Sequence, residues 1–325
     1  METHSLTVAL ERYERHLPLI EGRVDPPQGF ALRILEVGQE GELRHGRHRH
    51  ERMLRQDEFD IAELSLSSYL IAKDRGLPFT AVPVFPRRLF SQTQMFVRAD
   101  SSIRAPHELA GRRVALQSFQ TTLAVLVKGD LSFAYGVPWR SITWHVRDHE
   151  TLPLDEKMDA RIVRVPSDAD LASLLTEGEV DALFYSRYPQ SQRAAPGRIR
   201  RLFDDPAGAA LSYFRANGWF PVMHVLALKQ LIVDAHPSLP AALVSWYQAA
   251  LDLNRKAYDD PAWLILPFGR LAYEASLAEF ADPWPSGFRA NRPFLARFIE
   301  YSRDQQLIAG AITPEDLFHP SVLGT

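Results

Sequence analysis

The chain has 325 residues, 46% of them hydrophobic and 24% charged, enough for about two domains with substantial cores. Its 37 basic and 40 acidic residues give a formal charge of −3, and no stretch collects the basic density a phosphate backbone demands, so nucleic acid is excluded as a partner. Having no cysteine, the chain cannot form disulfides, thiolate zinc sites or a cysteine nucleophile.

The first ten residues lack a basic start followed by a long apolar run, and no later segment approaches about 18 uninterrupted apolar residues. These features predict a cytoplasmic protein with no membrane partner. Leu6 to Leu10 reads as a first strand, a short helix follows around Tyr13 to Glu21, and Phe30 to Val37 alternates like a second strand. Gly38 to His50 is an exposed, histidine-bearing loop leading to a helix from His50 to Gln56. Phe59 to Leu64 is a strand, and Ser65, Ser67 and Ser68 supply caps for the apolar run after it.

Further strands are predicted at Ala81 to Pro86, Gln94 to Val97, Arg113 to Leu116, Ile142 to Val146, Ala160 to Val165 and Val180 to Tyr185. Helices are expected over Leu123 to Tyr135, opened by Gln120, Thr121 and Thr122, and over Ser167 to Glu177. Alternating strands and helices argue for parallel α/β sheets. Trp219 to Lys229 reads as one long strand, after which Pro237 to Tyr258, Pro261 to Phe268 and Pro293 to Gln306 form a helical tail.

The ordered segments Arg52 to Arg55, Glu58 to Leu70, Pro83 to Phe90, Gly111 to Val114 with Gln120 to Thr122, Phe220 to His224, Trp284 to Gly287 and Asn291-Arg292 resemble the 4,5-dihydroxyphthalate decarboxylase family. That resemblance spans nearly the whole chain. It implies an α/β, two-lobed fold like the type 2 periplasmic binding proteins, with a C-terminal helical extension. Lobe 1 would hold residues 1–95 plus 219–325, helical tail included, and lobe 2 residues 99–213; interlobe crossings are expected at 94–98 and 218–225. The chain departs from the family pattern after Phe90, where Ser91-Gln92-Thr93 replaces Arg-His-Ser, and at Ser118 and Lys128.

The implied activity is a cofactor-independent decarboxylation of a hydroxylated aromatic, phthalate-like or related carboxylic acid bound between the lobes. Such chemistry needs a proton-transferring group, a polar group on the phenol oxygen, and donors for a second anionic group. His224 is the first candidate for the acid, with a hydrogen-bonded core histidine as the plain structural alternative; His145 is a second choice. Arg87 and Arg88 offer forks for a carboxylate, or simply sit on the surface. Ser65, Ser67, Ser68, Gln120, Thr121 and Thr122 would cradle carboxylates at helix N-termini, or serve only as caps.

Trp219, Phe220 and Trp284 are candidates for an aromatic wall, against the alternative of core packing. His45, His48, His50 and Glu51 invite a metal reading but fit a solvated loop better, so no metal ligands are assigned, although a divalent ion is not excluded. Glu63 and Asp60 could form an acid pair, with a structural role favoured for Asp60. The expected partner is a small carboxylic acid, and the helical tail leaves room for a homodimer. The rival function is a non-catalytic organic-anion solute-binding protein on the same fold.

Overall fold

The computed structural model describes residues 3–155, 158–189 and 196–325. The chain divides into two compact units, the first comprising 1–87, 224–293 and 312–325 and the second 88–223 and 294–311.

The first unit is built on a five-stranded sheet. Its strands are β1 (His4–Leu10), β2 (Phe30–Glu36), β3 (Ile61–Ser65), β4 (Phe79–Val82) and β11 (His224–Lys229), in the order β2-β1-β3-β11-β4. β1 pairs in parallel with β2 and β3, whereas β11 runs antiparallel to both β3 and β4. All five residues of β3 are buried, as suits a strand with neighbours on both edges and cover on both faces. The helix Leu239–Ala257 lays Leu239, Leu243, Trp246, Tyr247, Ala250 and Leu251, spaced for one helical face, into a core with Leu6, Val8, Ile61, Val82, Leu226 and Leu228.

The second unit carries a six-stranded sheet in the order β10-β5-β9-β6-β7-β8. Its strands are β5 (Met95–Arg98), β6 (Arg113–Leu116), β7 (Thr143–Arg147), β8 (Arg161–Val165), β9 (Ala182–Phe184) and β10 (Ile199–Arg201). β6 lies parallel to β7 and β9, and β7 to β8, while β5 opposes β9 and β10. The helix Thr122–Phe133 is buried from Thr122 to Leu131 without a polar stripe, as expected of a helix covered all round.

Both sheets are therefore mixed rather than parallel. The expected strand from Trp219 to Lys229 is a continuous ladder only from His224, preceded by a single antiparallel bridge between Val222 and Arg88. Pro221 has no N–H for a ladder, and its carbonyl instead accepts from Leu89 N at 3.3 Å. The expected helix at Pro261 to Phe268 is absent, and the chain turns there until Gly269–Phe280. Pro267 removes an N–H and biases the residue before it away from helix, so the helix starts after it. The last long helix runs Phe288–Asp304 with Pro293 inside it, earlier than expected. Among the described residues, no helix is long and apolar enough to cross a membrane.

Candidate active site

The parallel strands of the first unit end at Leu10, Glu36 and Ser65, the kind of sheet edge at which ligands of open α/β folds are held. Because β11 runs the other way, its first residue, His224, pairs with Ser65, the last residue of β3. Ser65 is also the N-cap of the helix Leu66–Asp74, its hydroxyl accepting from Ser68 N at 3.4 Å. The imidazole and the positive end of a helix are thus brought to one edge by strand pairing alone. Ser65, Ser67 and Ser68 are all buried there.

Two residues back on β3, Glu63 is fully buried and its carboxylate joins three groups. It accepts from Glu11 N at 3.0 Å and from His224 Nδ1, and one of its oxygens lies 3.4 Å from an Arg49 terminal nitrogen. Arg49, also fully buried, donates through Nε to the Glu63 carbonyl at 2.8 Å and reaches the Glu11 carboxylate at 3.2 Å. Burial works against ionising Glu63, but Arg49 and then His224 outweigh it and hold the carboxyl well below its usual range. Glu63 is a carboxylate at neutral pH.

The same burial acts on His224, pushing its pKa down to about 4 despite the opposing pull of Glu63. The unliganded protein therefore holds a neutral imidazole whose Nδ1–H is directed at Glu63, a bond that fixes the tautomer and makes Nε2 the proton acceptor. Nε2 has no hydrogen-bond partner among the described residues. His16 is similarly buried and lowered to about 4, its nitrogens engaged by the Glu11 carbonyl at 2.7 Å and Tyr247 Oη at 2.9 Å.

The histidine-rich segment resolves into separate duties. His45 Nδ1 accepts from Glu36 N at 3.0 Å, and Glu51 accepts from Gln39 Nε2 at 3.1 Å. His50 alone joins the site, its ring set edge-on to His224 with centroids 5.2 Å apart. Its Nε2 is buried with no hydrogen-bond partner among the described residues. Burial, then Arg49 and His224, hold its pKa well below the ordinary value. Asp60 serves the fold, accepting from both the backbone N and the hydroxyl of Thr7 at 2.8 Å.

Arg87 flanks the cluster: its carbonyl accepts from His224 N at 3.3 Å, and its charge adds to the forces lowering the imidazole. Arg88 is directed elsewhere, buried in the second unit with its guanidinium donating to the Phe220 carbonyl at 2.6 Å. Phe220 stacks on Phe90 at 4.5 Å, Trp219 Nε1 donates to Tyr213 Oη at 3.2 Å, and Trp284, in the first unit, donates to the Phe85 carbonyl at 3.0 Å. His145 lies on β7, half-buried and lowered by burial.

The expected carboxylate cradle at Gln120 to Thr122 is filled from within. Glu150 receives Phe119 N at 2.8 Å, Gln120 N at 3.3 Å and the Ser118 hydroxyl, and Arg164 pairs with it at 3.1 Å. The Gln120 side chain is spent on both backbone groups of Leu152, and Thr121 caps the helix through Ala124 N at 3.3 Å. Lys128, fully buried, donates to the Phe119 carbonyl at 2.8 Å.

Of the residues in this buried cluster, sequence reasoning singled out His224 and noticed Glu63, but not Arg49, Glu11, His16 or Tyr247. The available signal was Arg49 beside His50, at the start of the helix Arg49–Leu54.

No family model matches the chain. Solved structures of similar fold include the periplasmic aliphatic sulphonate binding protein SsuA of Escherichia coli, with a TM-score of 0.58 at 13% identity, covering 98% of this chain and 92% of that one. The alkanesulfonate-binding protein SsuA of Xanthomonas axonopodis pv. citri gives 0.59 at 14% identity, covering 98% and 99%. Among curated proteins, the 4,5-dihydroxyphthalate decarboxylase of Pseudomonas putida is 31% identical over 223 residues, 66% of this chain and 83% of that one. The 4,5-dihydroxyphthalate decarboxylase of Comamonas testosteroni is 31% identical over 334 aligned residues, covering 99% of this chain and 98% of that protein. Agreement of that extent, on a fold shared with type 2 periplasmic binding proteins, means that the chain belongs to the 4,5-dihydroxyphthalate decarboxylase family of carboxy-lyases.

Proposed function

We propose that the protein removes one carboxyl group from a hydroxylated aromatic acid of the phthalate type, with His224 as the proton-transferring residue and no cofactor. The observation that carries this reading is the buried Glu63–His224 pair at the edge where the helix Leu66–Asp74 begins.

A neutral imidazole with Nδ1–H committed to Glu63 can take a proton only at Nε2. In the proposed sequence, Nε2 accepts the proton of a ring hydroxyl as a solvent-derived proton joins the carbon bearing the carboxylate. The ring loses aromaticity, the bond to the carboxylate breaks, and its electron pair restores the ring as carbon dioxide leaves. His224 then returns its proton to the phenolate oxygen. One proton is consumed overall, now in the new C–H bond. Glu63 stabilises the transient imidazolium, while Arg87 and the helix N-terminus at Ser65 to Ser68 bind the anionic groups.

The test is carbon dioxide release from a panel of hydroxylated benzoic and phthalic acids, with and without a chelator. Turnover that survives the chelator supports the cofactor-free reading; turnover lost to it and restored by a divalent ion overturns that part. Tight binding without release would instead indicate an organic-anion binding protein. Replacing His224 by Gln should lower kcat by roughly 10²–10⁴-fold, the usual worth of a positioned acid or base. Because the imidazole must start neutral, kcat/KM should fall as the pH drops through about 4. A rise toward low pH would make His224 a donor from the outset and contradict the proposed sequence.

A further inference from the structure

A cavity of about 250 Å³ lies in the first unit, lined among others by Arg15, Asn254, Tyr258, Tyr273, Ser276 and Trp284. Asn254 is 7% exposed, yet its Nδ2 has no hydrogen-bond partner among the described residues. A buried amide donor left unpaired is uncommon in a folded protein and calls for a partner that the chain does not supply. Arg15 is the second feature: its Nε donates to the Pro86 carbonyl and its guanidinium lies 4.0 Å from the Tyr13 ring and 4.6 Å from Trp284, but among the described residues no carboxylate pairs with it. Arg255, also on the cavity wall, is by contrast committed to Asp252 and Asp282 at 3.2 and 2.9 Å.

The walls are flat and aromatic. Tyr258 and Tyr273 stack at 4.6 Å, and the Trp284 indole contributes another surface. Glu14 lines the cavity as well, with its carboxylate accepting from Tyr258 Oη at 2.8 Å. An acid at that position opposes a second negative charge on an occupant, while the amide donor and the arginine favour a first.

We propose that this cavity is a second small-molecule site, built for a planar aromatic monocarboxylate of about benzoate size, with Asn254 Nδ2 and Arg15 as the carboxylate donors. Neither donor, Asn254 or Arg15, is among the groups assigned to the reaction. Its ligand carries one charge, unlike the dianionic acids proposed for the reaction.

Calorimetric titration of the full chain with benzoate tests this, using benzamide as the neutral counterpart. The expected result is saturable benzoate binding that weakens at least tenfold in Asn254→Leu and in Ser276→Trp, the second variant filling the cavity rather than removing the donor. Both should leave carbon dioxide release unchanged in the absence of benzoate. Benzamide should bind at least tenfold more weakly than benzoate. The absence of saturable binding would overturn the proposal, as would an unchanged benzoate affinity in both cavity variants, or a loss seen instead in Arg87→Ala. Equal affinity for benzamide would overturn the assignment of an anionic ligand.

Discussion

The two units each bury an acid, and they treat it in opposite ways. In the first, Glu63 sits against Arg49 and stays ionised although burial opposes it. In the second, Asp130 on the helix Thr122–Phe133 pairs with no cation among the described residues and receives neutral hydroxyls, from Ser91 at 2.6 Å, Tyr213 at 3.0 Å and Tyr301 at 3.1 Å. Burial raises Asp130 to about 7, and the three donors only limit the rise. Depth alone therefore does not decide the charge of a buried carboxyl. The presence of a guanidinium does, because hydroxyl dipoles recover less of the lost hydration than a full opposite charge.

Removing the cation should break the contrast most severely. Arg49→Met strands Glu63 and Glu11 in the interior, and the expected cost is about 3–5 kcal/mol of stability, readable by urea denaturation. Adding Glu63→Gln to that variant should recover part of the loss, giving a non-additive double-mutant cycle; strict additivity would mean that the two side chains do not share one network.

The pH dependence sharpens the comparison next, because the two regions carry opposite signs. His224 and His16 have folded values near 4 against an ordinary 6.5, so their contribution is present above about pH 6.5 and lost as pH falls through about 4. Asp130 has a folded value near 7 against an ordinary 3.8, so its contribution is present below about pH 4 and lost as pH rises through about 7. Asp130→Asn should flatten the fall in stability between about pH 4 and 7 while leaving the acid limb in place, which denaturation midpoints across pH would show. The smallest effect is expected from Ser91→Ala, which removes one of three donors: about 1 kcal/mol, with the Asp130 titration moving further upward in a carboxyl NMR titration.

How much of this was legible in the sequence follows from how local each signal is. The family motifs lie in order along the chain and led directly to the fold and to His224, whose place opposite Ser65 follows from pairing β11 with β3. Arg49 was illegible because its partners, Glu11 and the Val37 carbonyl, are 38 and 12 residues away, and a charge among histidines reads as a solvated loop. The substitution at Ser91 and Gln92 was visible as a departure. Its meaning was not, since it depends on Asp130 and on Tyr135 Oη, which Gln92 Nε2 reaches at 2.9 Å. Pro221 carried its own warning against one continuous strand, and that local signal was outweighed in the reading by the apolar run around it.

Glu150 gives the N-terminal turn at Phe119 to Thr122 a resident competitor. A carboxylate tethered about 30 residues along the same chain is never diluted, so its local concentration stays at least in the millimolar range whatever the solution contains. A free carboxylic acid at micromolar concentration would have to displace it and also leave Arg164 without its partner. This helix end, which in an open form would attract any passing anion, is thereby kept indifferent to the ordinary carboxylates of its surroundings.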